Sequence, residues 1–99
     1  MFRMAIQGFA SSAIGKFFLE GTVPKRAGWG GVARIAARKL DILDYASQLS
    51  DLASPPGNRL EALKRDRAGN HSIRINDQWR VVFRWEDSGP TDVDIVDYH

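Results

Sequence analysis

Asp97-Tyr98-His99, at the end of the sequence, are three side chains able to take, give or orient a proton, and Lys64 and Arg80 are cations within strand-like stretches. Metal-free RNA cleavage needs little more than these. A base removes the proton of a ribose 2′-OH, the oxygen attacks the adjacent phosphate, an acid protonates the leaving 5′-oxygen, and cations stabilise the charge that builds on the phosphate oxygens. DNA has no 2′-OH, so such a site acts on RNA. His99 is a candidate base or acid because imidazole titrates near neutrality, and the negative charge of nearby Asp97 favours the imidazolium. Lys64, Arg67 and Arg80 are candidate phosphate cations.

Other chemistries find no footing in the chain. Cysteine is absent and only His71 and His99 supply imidazole, so disulfides and zinc-ligand spacings are excluded. Asp92, Asp94 and Asp97 have no calcium-loop pattern around them. Gly28, Gly30 and Gly31 lack the Lys-Ser/Thr that completes a phosphate-binding loop, and no serine elbow is present. No metal and no cofactor are expected. No apolar run reaches the ~20 residues of a membrane span and no secretion signal opens the sequence, so a cytoplasmic protein without membrane contact is expected.

Charge is unevenly spread. Residues 1–50 hold seven Lys/Arg and three acids, and residues 51–99 hold seven Lys/Arg and nine acids. In the second half the basic residues come first and the acids last, which suggests a basic surface for a polyanion.

These residues need a frame, and the length of 99 residues suits one domain over 1–99. Residues 2–7 can form a first strand. Ala10, Ala13, Ile14, Phe17 and Phe18 make an apolar helical stripe closed by Gly21 and Pro24. Val32, Ile35, Ala36, Leu40 and Leu43 mark a second helix after the glycines around Trp29. Ser54-Pro55-Pro56-Gly57-Asn58 is a breaker, after which the period turns to two. Strands are expected at 59–64, 71–75, 79–85 and 91–98, with turns at Asn76-Asp77 and 87–90. The order implies an α+β fold, in which two N-terminal helices cover one face of a four- to five-stranded antiparallel sheet and leave the other for function.

Pro55 to Lys64, Asp66-Arg67-Ala68-Gly69, Ser72 to Arg80 and Val93 to His99 together resemble the HigB-type, or plasmid-maintenance killer protein, branch of the RelE superfamily. The motifs run from Pro55 to the end; the helical half is similar in layout. The resemblance implies a toxin that cleaves mRNA in the ribosomal A site without a metal. It further implies an antitoxin of the HigA kind, whose helix-turn-helix carries the complex to operator DNA. By position it implies that Lys64 and Arg80 stabilise the phosphate and that Asp97, Tyr98 and His99 form the catalytic end. Gln78, Arg59, Arg67 and Arg74 would contact RNA. Some members read His-Pro-Leu-Lys-Gly-Asp-Arg where this chain has Glu61 to Arg67, so one histidine gives way to Glu61 and a glycine to Arg65. A non-catalytic module of the same fold that binds RNA, the ribosome or an antitoxin is the alternative, and a DNA-binding co-repressor a weaker one. The charge argument at His99 predicts an imidazole titrating above the unperturbed value of about 6.5; an NMR titration with a lower midpoint contradicts it.

Overall fold

The computed structural model describes residues 5–98, the side chain of Arg65 aside. Two helices, α1 (Ser12–Glu20) and α2 (Ala33–Tyr45), precede four strands: β1 (Glu61–Ala62), β2 (Asn70–Arg74), β3 (Trp79–Glu86) and β4 (Gly89–Asp97). The strands form one antiparallel sheet in sequence order.

Local signals explain the helix ends. The Ser11 hydroxyl accepts from the Ile14 amide at 3.3 Å, capping the N-terminus of α1. Gly21, at φ 78, closes the other end, its amide donating to the Phe17 carbonyl. Ile14 and Phe17 enter the core as the stripe predicts, but Ala10 and Ala13 are exposed and Gly15 is buried instead. The Phe9 ring lies where a side chain on Gly15 would point, so the inward face of α1 is rotated towards that ring. α2 buries Ala36, Leu40 and Leu43.

Both helices pack with Ile73, Val81, Phe83, Val93 and Ile95 of the sheet in one core. Trp29, between the helices, joins it with its ring 4.6 Å from that of Phe17. Neighbouring Gly28 is a forced choice. A Cβ there would lie 2.7 Å from the Trp79 ring, well inside contact distance.

The expected first strand is not formed over Ala5–Gln7; Phe2 to Met4 lie outside the described residues. A single parallel bridge joins Phe9 to Val93. Its cause is a bulge in β4. Val82 pairs with Asp94 but Arg84 with Thr91, so two residues oppose Phe83, and Asp92 takes a left-handed φ of 55. The bulge turns the Val93 backbone outward, where it exchanges hydrogen bonds with Gly8 and Ala10.

The strand expected over 59–64 is cut to Glu61–Ala62. Arg59 is left-handed (φ 47) after a 3-10 turn at Pro56–Asn58, and Lys64 starts the turn that leads back to β2. Between β2 and β3 the Asn76 carboxamide accepts from the Gln78 and Trp79 amides at 2.9 and 2.7 Å, the side-chain turn expected of Asn76-Asp77. No helix among the described residues is long and apolar enough to cross a membrane.

Gly28→Ala is expected to destabilise the fold by about 1–3 kcal/mol, the usual cost of overpacking, because the Trp79 ring must move. Urea denaturation measures this as a lower midpoint at unchanged m-value.

Candidate functional site

Strand alternation sends Trp79, Val81 and Phe83 of β3 to the helices and Arg80 and Val82 to the opposite face. Both sets are largely buried: β3 is covered on both sides from Arg80 to Phe83. Helices do the covering on one side. On the other, Arg59 and Glu61 from one stretch and Tyr98 from just beyond β4 lie over Arg80.

Arg80 is therefore a floor residue, its side chain only 8% exposed. Nη2 donates to the backbone carbonyl of Arg59 and, at 3.5 Å, to that of Ser72. Nη1 stands 3.8 Å from a Glu61 carboxylate oxygen. The Tyr98 ring stacks on the guanidinium, 5.0 Å from its carbon, a cation–π contact. Nε is buried and has no hydrogen-bond partner among the described residues. Burial pushes the guanidinium below its ordinary pKa, while Glu61 and Tyr98 act in the other direction.

Beside this floor opens a cleft of about 500 Å³ lined by Glu61, Ala62, Leu63, Lys64 and Tyr98. The Tyr98 hydroxyl donates to Glu61 at 3.2 Å. Burial, then the hydrogen bond and charge of Glu61, raise the phenol above its usual pKa, against weaker opposing effects of Arg80 and Arg67. Tyr98 thus keeps its proton at neutral pH and can only donate it. Lys64 is an exposed ammonium on the rim. The cleft lining therefore holds a carboxylate, a phenol and an ammonium, with the clamped guanidinium beside it.

The expected site residues separate into groups. Lys64, Arg80 and Tyr98 come together from three places in the chain, with Arg67 near enough to act on Tyr98 electrostatically. Arg59 contributes its backbone to the cluster, and its side chain is exposed. Asp97 and Gln78 pair with each other, amide to carboxylate at 2.9 Å. Asp97 sits opposite Trp79 in the ladder, so alternation points it to the face away from Arg80. Arg74 is held by Asp77 at 2.6 Å. His99 lies outside the described residues. Among the described residues no group of three His, Cys, Asp or Glu is spaced to hold a metal ion.

Glu61 is the group that sequence reasoning passed over. An acid inside a run of Arg and Lys was the available signal, but its place opposite Ser72 in the β1–β2 ladder, which brings it to Arg80, depends on a pairing that periodicity does not reveal.

A family model described as the RelE-like toxin of the type II toxin–antitoxin system HigB matches residues 7–99. Toxin HigB-1 of Vibrio cholerae is 54% identical over 50 residues, which are 50% of this chain and 53% of that protein; the match thus spans about half the length of this relative. An uncharacterized protein of Haemophilus influenzae is 30% identical over 88 residues, 89% of this chain and 86% of its own. Among solved structures, the heterotetrameric YoeB–YefM toxin–antitoxin complex of Staphylococcus aureus contains a chain similar in fold, with a TM-score of 0.56 at 20% identity over 99% of both chains. A second structure of the YoeB–YefM complex from that organism gives the same values. With its α+β fold and a family match over nearly the whole chain, the protein belongs to the HigB family of RelE-like toxins of type II toxin–antitoxin systems.

Proposed function

We propose that this protein is an endoribonuclease that cuts mRNA in the ribosomal A site through 2′-OH attack on the adjacent phosphate. The observation that carries the proposal is the convergence of Glu61, Lys64 and Tyr98 on one cleft, with Arg80 held beside it by Glu61 and Tyr98. Each step of the reaction then has a group in place. A phosphate entering beside Lys64 competes with Glu61 for Arg80 Nη1. Released from that pair, the Glu61 carboxylate takes the 2′-OH proton. The 2′-oxygen bonds to phosphorus as the bond to the 5′-oxygen breaks, leaving a cyclic phosphate and a 5′-hydroxyl. Tyr98 or His99 supplies the proton to the leaving oxygen. Lys64 and Arg80 hold the charge of the transition state. The chemistry consumes no metal and no cofactor.

Arg59, Arg67 and Arg74, with Gln78 at the turn before β3, would hold the RNA strand. The partner is an antitoxin of the HigA kind, and operator DNA is reached through that complex. The YoeB–YefM structures, in which a protein of this fold is complexed with an antitoxin, support an antitoxin partner. The site of action, with ribosome and mRNA, is the cytoplasm.

End-labelled mRNA on programmed ribosomes tests the reading. Wild-type protein is expected to cut within the A-site codon. Glu61→Gln and Lys64→Ala should each slow cleavage by about 10²–10⁴-fold, the usual contribution of a positioned proton-transfer group or charge stabiliser. His99→Ala against Tyr98→Phe identifies the acid, since only the variant lacking it loses cleavage. If wild-type protein binds ribosomes and cuts nothing, a non-catalytic binding module is the better reading.

The phenol of Tyr98 also bears on the pH dependence. Tyr98, held above its ordinary pKa, stays protonated through neutrality. Cleavage should therefore show no alkaline fall near neutral pH that vanishes in Tyr98→Phe. A pH–rate profile with such a fall contradicts the assignment of Tyr98 as a proton donor.

A further inference from the structure

Outside the cleft, one buried side chain is bound more completely than its surroundings require. Asn58 is entirely buried. Its Nδ2 donates to the carbonyls of Leu52 and Ser54, both at 3.2 Å. Its Oδ1 accepts from the Lys39 ammonium of α2 at 2.5 Å. Both amide protons are thus used, and the oxygen has a charged donor. Lys39 is held there against its electrostatics. Burial and the positive charges of Arg38 and Arg74 lower its pKa, and the bond to Asn58 offsets part of that cost.

The next residue is Arg59, whose backbone is left-handed at φ 47 and ψ 56. That conformation is unfavourable for a side-chain-bearing residue and persists where the surroundings fix it. Here it aims the Arg59 carbonyl at Arg80 Nη2. The remaining contacts of the guanidinium are a long bond to Ser72, the Glu61 pair and the Tyr98 ring. The Arg59 carbonyl is one of the two backbone acceptors of the guanidinium, and Asn58 anchors the residue before it.

We propose that Lys39 and Asn58 are positioning residues for Arg80: from the helix side of the molecule they hold the loop whose Arg59 carbonyl orients the guanidinium. The functional weight of this rests on the reading of Arg80 as a phosphate cation. The placement of Arg80 itself does not, and the two are measured separately.

Lys39→Met keeps the aliphatic stem and removes the donor; Lys39→Arg restores a cationic donor. In ¹⁵N-labelled full-length protein without RNA, the Arg80 Nε–H resonance is identified by its loss in Arg80→Lys. It carries the ring-current shift of Tyr98 and reports where the guanidinium sits. Lys39→Met is expected to move this resonance and speed its solvent exchange, and Lys39→Arg to return it towards wild type. In ribosome-bound cleavage, Lys39→Met should lower kcat roughly tenfold with KM unchanged, within the ~100-fold that a misplacement of 1 Å can cost and in the pattern of a lost transition-state contact; Lys39→Arg recovers it. A Lys39→Met protein that melts earlier but keeps the Arg80 resonance and kcat overturns the proposal. If wild-type protein cleaves no RNA, the cleavage reading fails, and the resonance comparison still decides whether Lys39 places Arg80.

Discussion

A guanidinium cannot be left alone in a protein interior: an unpaired buried charge is among the costliest features a fold can hold. Arg80 sits in the middle of the sheet with almost no solvent contact, and much of the second half of the chain is arranged around that fact. Two backbone carbonyls, a carboxylate and an aromatic face surround it. To supply the first carbonyl, Arg59 adopts a left-handed backbone and β1 shrinks to two residues. To supply the aromatic face, β4 runs in register with β3 as far as Asp97, and the Tyr98 amide bonds to the Gln78 carbonyl at 2.6 Å. The cleft is what remains between these elements once the charge has been enclosed.

The uneven charge of the sequence resolves in the same terms. Several acids are occupied with backbone amides. Asp44 accepts from Ile6, Asp51 from Ser47 and Gln48, and Asp94 from Ile95. Asp77 is paired with Arg74. Glu61 is the acid that lies with the cations of the cleft, and there it is both ion-paired and hydrogen-bonded. At rest it is paired with Arg80, and Lys64 is the cation of the cleft lining.

Periodicity carried the fold a long way. The alternation over 79–85 and 91–98 corresponds to β3 and β4, the breaker at 54–58 to the change from helix to sheet, and the apolar positions of α2 to its buried face. It failed where tertiary contacts decide. Alanine counts as apolar in a stripe, yet Ala10 and Ala13 face out because the Phe9 ring draws Gly15 inward. Alternation marks Arg80 and Val82 as outward, and they are so relative to the helices, but a second layer covers them. That layer is built by a loop of irregular backbone, which has no period to read. The candidate site was legible as residue types at Lys64, Arg80 and Tyr98, because cations and a phenol in this part of the sequence are chemically conspicuous. The pairing of Gln78 with Asp97 and the entry of Glu61 were not, since both follow from register.

The bulge at Asp92 has a consequence for how the molecule behaves in company. A sheet of four strands has two edges, and an open edge is a template on which another chain can add a strand. Here the outer side of β4 around Pro90 to Val93 already holds Gln7, Gly8 and Ala10 through the backbone groups that the bulge turned outward. The opposite edge is a strand of two residues. Among the described residues, that stretch of the β4 edge is thereby closed to an added strand.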